Sequence, residues 1–139
     1  RGGQLAPGVP FVKPPWGRIT AIDLTTGNHA WMVPNGDTPP YVAERLKLPP
    51  ASIPNTGRAS RAGLLVTRTL LFAGEGTNGS GNLWVLDKRT GARITRLDIP
   101  SGTQTGVPMT YLHNGRQYVV FATTANGEPS EIVAYAVPK

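Results

Sequence analysis

The sequence predicts an all-β protein built from short antiparallel sheets, and three observations predict it. Seventeen glycines and 14 prolines stand among 139 residues. That is well above the roughly 12 % of an average globular chain, and it leaves few runs long enough for helices. The apolar residues, 39 % of the chain, gather in compact runs such as Leu64-Leu65-Val66 and Leu70-Leu71-Phe72-Ala73, which have the length and composition of strands. Finally, one pattern of strand, acid and turn occurs twice, the mark of a repeat architecture.

The first copy is Gly17-Arg-Ile-Thr-Ala-Ile-Asp23-Leu-Thr-Thr26-Gly27 and the second Gly81-Asn-Leu-Trp-Val-Leu-Asp87-Lys-Arg-Thr90-Gly91. Each predicts a strand, an Asp whose carboxylate accepts turn N–H groups, and a Gly free to take a positive φ. In the first copy Ile19, Ala21 and Asp23 share a face, and strands are expected over 17–23 and 28–33. Residues 34–60 then interrupt the repeat with six prolines. They are expected to make a long excursion between units, with a short helical turn at Tyr41–Leu48. The complete unit follows as strands over 64–67, 70–74, 82–87 and 92–98. Leu70-Leu-Phe72-Ala73 matches Val119-Val-Phe121-Ala122 at an offset of 49, and Gly63–Thr67 matches Gly106–Thr110 at 43. A longer hairpin turn around Asn114-Gly115 accounts for the difference, Asn-Gly being a strong hairpin signal. The third unit runs from about 107 to 137 without a fourth strand.

Four-stranded up-and-down units of 40–50 residues are blades of a β-propeller. The expected architecture is therefore a partial propeller, with approximate units 16–33, 61–98 and 106–138. Rings close with about four to eight blades, so the remaining blades are expected partners. Arg1-Gly2-Gly3 reads as the start of a processed or cut chain.

Composition narrows function by exclusion. There is no cysteine, hence no disulfide, thiolate metal site or cysteine nucleophile. No apolar run approaches the roughly 20 residues of a membrane helix. The net charge of +6 is mostly scattered. The cluster Lys88, Arg89, Arg93 and Arg96 reads as a solvated strand edge, and nucleic acid is not an expected partner. Gly74-x-Gly76-x-x-Gly79 matches a dinucleotide fingerprint by letter, but it joins two strands where the fingerprint needs a strand and a helix. Asn78-Gly-Ser80 reads as an accidental glycosylation sequon. His29 and His113, the two histidines, fall in different turns.

Residues 21–36 read Ala21-x-Asp23-x-x-Thr26-Gly27-Asn28-x-x-Trp31-x-x-x-x-Gly36. This resembles the tryptophan-docking motif A-x-D-x-x-T-G-K-x-x-W-x-x-x-x-G of the quinoprotein dehydrogenases, eight-bladed propellers that hold pyrroloquinoline quinone (PQQ). It departs only in having Asn28 for Lys. In such a motif the Trp stacks between neighbouring blades. The second copy has Thr95 in place of Trp and Val85 in place of Ala. Pro14-Pro-Trp16-Gly17, Gly63–Thr67, Thr105–Tyr111, Asn114–Val120 and Ile132–Pro138 recur in this order near the C-terminus of enzymes of the glucose or sugar-alcohol type, so the chain resembles their last part.

The resemblance implies a PQQ-dependent oxidation of a sugar or alcohol hydroxyl by hydride transfer to the quinone. It implies electron delivery to ubiquinone or cytochrome c, a periplasmic location with anchoring through a region outside these residues, and Ca²⁺ held outside this segment. The segment alone is expected to be inactive. The implied cofactor-binding residues are Ser60 and Arg61, before the first strand of the complete unit, and Thr124, Ala125 and Asn126, where relatives carry Gly-Gly-His or Gly-Trp-Gly. Arg61 suits a PQQ carboxylate as a planar bidentate donor; it equally suits a surface position at the start of a strand. Asn126 stands where relatives have a substrate-binding His. Glu75 is a further candidate to face the propeller axis. No residue is assigned as catalytic or as a metal ligand. The alternative class is a non-catalytic PQQ-like propeller that binds peptides during outer-membrane protein assembly.

Overall fold

The computed structural model describes residues 3–75, 81–100, 102–125 and 129–136. The chain forms two compact units, residues 1–59 and 60–139. Residues 76–80, 126–128 and 137–139, which include the second and third glycines of the Gly-x-Gly-x-x-Gly run, the sequon, Asn126 and the end of the third repeat, lie outside the described residues. Among the described residues no helix is long and apolar enough to cross a membrane.

The first unit opens with a small hairpin, β1 (Gln4–Ala6) and β2 (Val9–Pro10), which the sequence patterns do not announce. β3 (Arg18–Ile22) and β4 (His29–Pro34) form the expected antiparallel pair, with Ala21 opposite Trp31. The connection is the predicted acid turn. Asp23 Oδ1 accepts the Thr25 and Thr26 N–H groups at 2.8 and 3.4 Å, and Gly27 takes φ 74°. The excursion holds a helix, α1 (Pro40–Leu46), with proline in its first turn and Lys47 in the left-handed conformation at its end. Its Val42 is fully buried. The excursion then returns to where it began. Trp16 N–H donates to Thr56 O at 2.7 Å, Asn35 N–H to Gly17 O at 3.0 Å and Arg58 N–H to Asn35 O at 2.7 Å. A Cβ on Gly17 would lie 1.8 Å from Arg58 O, so only glycine permits this closure.

The second unit contains two sheets. β5 (Leu64–Val66), β6 (Leu70–Gly74), β7 (Asn82–Asp87) and β8 (Arg93–Asp98) pair in chain order as one antiparallel four-stranded sheet. β9 (Thr103–His113), β10 (Arg116–Thr124) and β11 (Glu131–Ala136) form a three-stranded sheet in the same manner. These are the blade-like units expected, although β9 starts a few residues before the anticipated boundary. β6 and β7 pair directly across the Gly-rich connection, the strand-to-strand context that the dinucleotide fingerprint does not tolerate. The shared core lies between the sheets. Phe72, Leu83 and Val85 of the first and Val119 and Phe121 of the second are all buried there, with Ile99 between them.

Two details of the repeat are corrected. Arg116 pairs with His113, so the connection is the two-residue turn Asn114-Gly115, both at positive φ. The additional residues lengthen the strands rather than the turn. Phe72 and Phe121, matched by letter at offset 49, also cannot be equivalent in orientation. Each points from its own sheet into the same core. On β10 the outward face carries Val120 and Ala122, so the counterpart of Phe72 is displaced by one residue, and a one-residue shift exchanges the faces of a strand.

Candidate functional site

Connections and strand ends converge at one end of the second unit. Ser60 precedes β5. Its hydroxyl accepts the Ala62 N–H at 2.9 Å and donates to Gly74 O at 3.4 Å, which fixes the incoming chain to the end of β6. Gly74 in turn abuts Gln104. A Cβ there would lie 2.3 Å from Gln104 Oε1, so the close approach requires glycine. Gln104 is 1 % exposed and pairs across the sheet with Thr123. Its Nε2 donates to Gly63 O at 2.8 Å and to Gly106 O at 3.3 Å, and Gly63 N–H donates to Gly106 O at 2.7 Å. The two glycines matched in the sequence repeat are thus joined to each other, and Gln104 clamps both.

This network brings the two predicted stretches to the same end. Arg61 is exposed and makes no hydrogen bond or ion pair among the described residues. Thr124 is exposed, and its hydroxyl lies 3.5 Å from that of Thr105 and 3.4 Å from that of Ser130. Ala125 is half-buried. The rim therefore offers one guanidinium and a chain of three hydroxyls. Glu131, opposite Thr123, stands at this end as well, and it has interactions of its own. Asn126, the fifth predicted residue, lies outside the described residues.

Glu75 is committed within its own sheet. It follows β6, an interior strand of its sheet, and is 1 % exposed. Its carboxylate accepts the Trp84 indole N–H at 2.8 Å and the Asn82 amide at 3.2 Å. Both donors stand on the face opposite the shared core, because they alternate with the core residues Leu83 and Val85. The Arg93 guanidinium lies 4.0 Å above the Trp84 ring, so the indole meets a cation at its face and the buried acid at its N–H edge.

Gln104 and Thr123 were missed by sequence reasoning. Their Oε1 and Oγ1 atoms are buried without a hydrogen-bond partner among the described residues. Only the glycines on either side of Gln104, at 102 and 106, hint at so close an approach. Among the described residues no three His, Asp or Glu side chains are placed to hold a metal ion.

Residues 3–119 match the family model described as PQQ, the β-propeller domain of glucose, ethanol and alcohol dehydrogenases. Over 94 % of its length the chain is 36 % identical to a probable quinate dehydrogenase (quinone) of Xanthomonas campestris pv. juglandis. It is 33 % identical over 94 % to a quinoprotein glucose dehydrogenase of Escherichia coli, and 33 % over 91 % to a glycerol dehydrogenase large subunit of Gluconobacter thailandicus. In each case the chain spans 17 % of the relative's length.

Proposed function

The chain belongs to the β-propeller family of PQQ-type glucose, ethanol and alcohol dehydrogenases, and from that premise we propose that it forms part of a PQQ-dependent dehydrogenase of sugars or other polyhydroxylated alcohols. The observation that carries the reading is the family match over residues 3–119. The consecutive antiparallel sheets of the second unit support it, and so do the three relatives, each named for oxidation of a hydroxylated substrate.

The donor set at the end of the second unit fits an acidic, planar cofactor. Arg61 carries a permanently charged, bidentate fork that has no hydrogen-bond or ion-pair partner among the described residues. Among the described residues the Thr124 and Thr105 hydroxyls make only long contacts, of 3.4 and 3.5 Å, so exchanging them for a carboxylate sacrifices little. When bound, PQQ supplies the two-electron oxidant for the substrate's carbinol C–H. Arg61 would bind a cofactor carboxylate and Thr124 would donate to a cofactor oxygen. Ser60 would orient the Arg61 segment through Gly74, and Ala125 would line the site. Residues of this chain thus bind and orient, while the hard chemistry is the cofactor's. Ca²⁺, a periplasmic setting, the remaining blades, and ubiquinone or cytochrome c as electron acceptor belong to the same proposal.

The test is reconstitution of the full-length protein carrying this sequence with PQQ and Ca²⁺, followed by dye reduction with sugars, glycerol and quinate. The expected result is substrate-dependent reduction. Arg61→Ala is expected to weaken PQQ binding about ten- to a hundredfold, the range for losing a charge-assisted hydrogen bond, at an unchanged melting temperature. A protein that neither binds PQQ nor reduces dye with any of these substrates would overturn the proposal and leave a non-catalytic propeller.

A further inference from the structure

A second concavity lies in the same unit, at the other end of the sheets. It is a cleft of about 350 Å³ between the β5–β6 turn, β8, the start of β10 and the end of β11. The distance along β10 from Gln117, in its lining, to Thr124, at the candidate cofactor end, is seven residues, roughly 23 Å at strand rise. The two sites therefore do not merge.

The walls are apolar, formed by Leu70, Phe72, Leu97 and Val119. Tyr135 also lines the cleft, but its hydroxyl is engaged with the Asp98 carbonyl, which leaves its ring as the available surface. The other polar residues of the lining are Thr67, Arg68, Thr69 and Gln117. At the rim, Arg68 is exposed and has no hydrogen-bond or ion-pair partner among the described residues, whereas the Gln117 amide, also in the lining, donates to Thr110 Oγ1 at 3.0 Å. Positive charge collects at this rim. Lys88 N–H donates to Thr69 O at 2.9 Å, which sets the turn bearing Lys88 and Arg89 against the turn bearing Arg68. Two carboxylates stand near this rim, each with a partner of its own. Asp87 caps its own turn through the N–H groups of Arg89 and Thr90, and Asp98 pairs with Arg96 at 3.3 Å.

We propose that this cleft is a binding site for an amphipathic organic anion, with its apolar body between the two sheets and its carboxylate at Arg68. The volume lies at the small end of ligand pockets, which run from about 300 to 1,000 Å³. The pairing of apolar walls with an exposed rim cation favours an anion with an apolar tail over a sugar or a neutral hydrocarbon. A medium-chain carboxylate has both parts, and decanoate serves as the probe.

The experiment uses the full-length protein carrying this sequence. Decanoate binding is measured by calorimetry, and a diazirine-bearing fatty acid of the same length is photocrosslinked and mapped by mass spectrometry. Saturable binding is expected, with crosslinks within residues 67–72 or 117–119 that decanoate competes away at several-fold lower concentration than 1-decanol. Arg68→Gln is expected to weaken decanoate about three- to fivefold, the range of an exposed ion pair, without changing the melting temperature. Absence of saturable binding, crosslinks confined to other segments, equal competition by 1-decanol, or an unchanged decanoate affinity in Arg68→Gln would each overturn the proposal. None of these readouts depends on PQQ or on dehydrogenase activity, so failure here and failure of the enzymatic reading are distinguishable.

Discussion

At the scale of single residues, buried polar atoms with and without partners separate structural from spare chemistry. Gln104 satisfies two backbone carbonyls where the two sheets of the second unit meet. Gln104→Ala removes those donors and opens a void, so a loss of about 2–4 kcal/mol in denaturant unfolding is expected. Thr123 is fully buried, and its hydroxyl has no partner among the described residues. Thr123→Val keeps its shape and removes the desolvated group, so it should be neutral or stabilising by up to about 1 kcal/mol. A cost equal to that of Gln104→Ala would show that the hydroxyl has a partner. Asp87 has a different consequence. The N–H and hydroxyl of Thr90 and the N–H of Arg89 hold its carboxyl below the usual aspartate value. A lowered folded-state value means that this stabilisation is complete above the unfolded-state value of about 3.9 and fades as pH falls through the folded-state value. The stability difference between the wild type and Asp87→Asn should therefore be constant near neutrality and shrink only below about pH 4, as read from paired melting curves.

At the scale of elements, the repeat read from the sequence extends in the structure to its irregularities. Ala21 and Val85 occupy the same place in the two copies, and the strand pairing shifts immediately after each. Each is followed by an Asp-capped turn closed by glycine at φ 74° and 72°. Local hydrogen bonding determines such turns, so few residues suffice to specify them. What letter matching could not fix was orientation, as the two phenylalanines show. A side chain of either sheet fits a shared core equally well, and only the pairing register tells which face it leaves from. The β9–β10 hairpin adds a prediction at this scale. Gly115 has φ 72°, and nothing lies within 4 Å of the place a Cβ would take, so space is not the obstacle to a side chain. Gly115→Ala should thus cost about 1 kcal/mol from backbone conformation alone. Faster amide exchange should accompany it at Leu112–Gln117.

At the scale of the molecule, the outward face of the β9–β11 sheet is the dominant feature of the second unit. Met109, Val120 and Ala134 share that face, as do Ala122 and Ile132. Met109 is 54 % and Ile132 79 % exposed, and Val107 on the same strand as Met109 is 75 % exposed. An apolar sheet face of this kind marks an interaction surface, and in a propeller the adjoining blade occupies it. The 139-residue chain prepared alone should therefore self-associate in light scattering. Met109→Lys combined with Ile132→Lys should shift it toward monomer. A wild-type chain that stays monomeric at high concentration would contradict this.

The sequence by itself determined the all-β class, the blade-like repeat, the acid-capped turns, the Asn-Gly hairpin and the family. Each of these rests on chemistry confined to a few neighbouring residues or on a pattern repeated along the chain. Tertiary structure decided what contacts distant in sequence decide. It placed Ser60 against Gly74, joined Gly63 to Gly106 beneath Gln104, and brought Arg61 and Thr124 to one end of the unit. It also gave the Glu75 carboxylate to Asn82 and Trp84. Side-chain direction on a strand alternates with every residue, so a position one residue from a strand end has its role set by register, which no single segment contains.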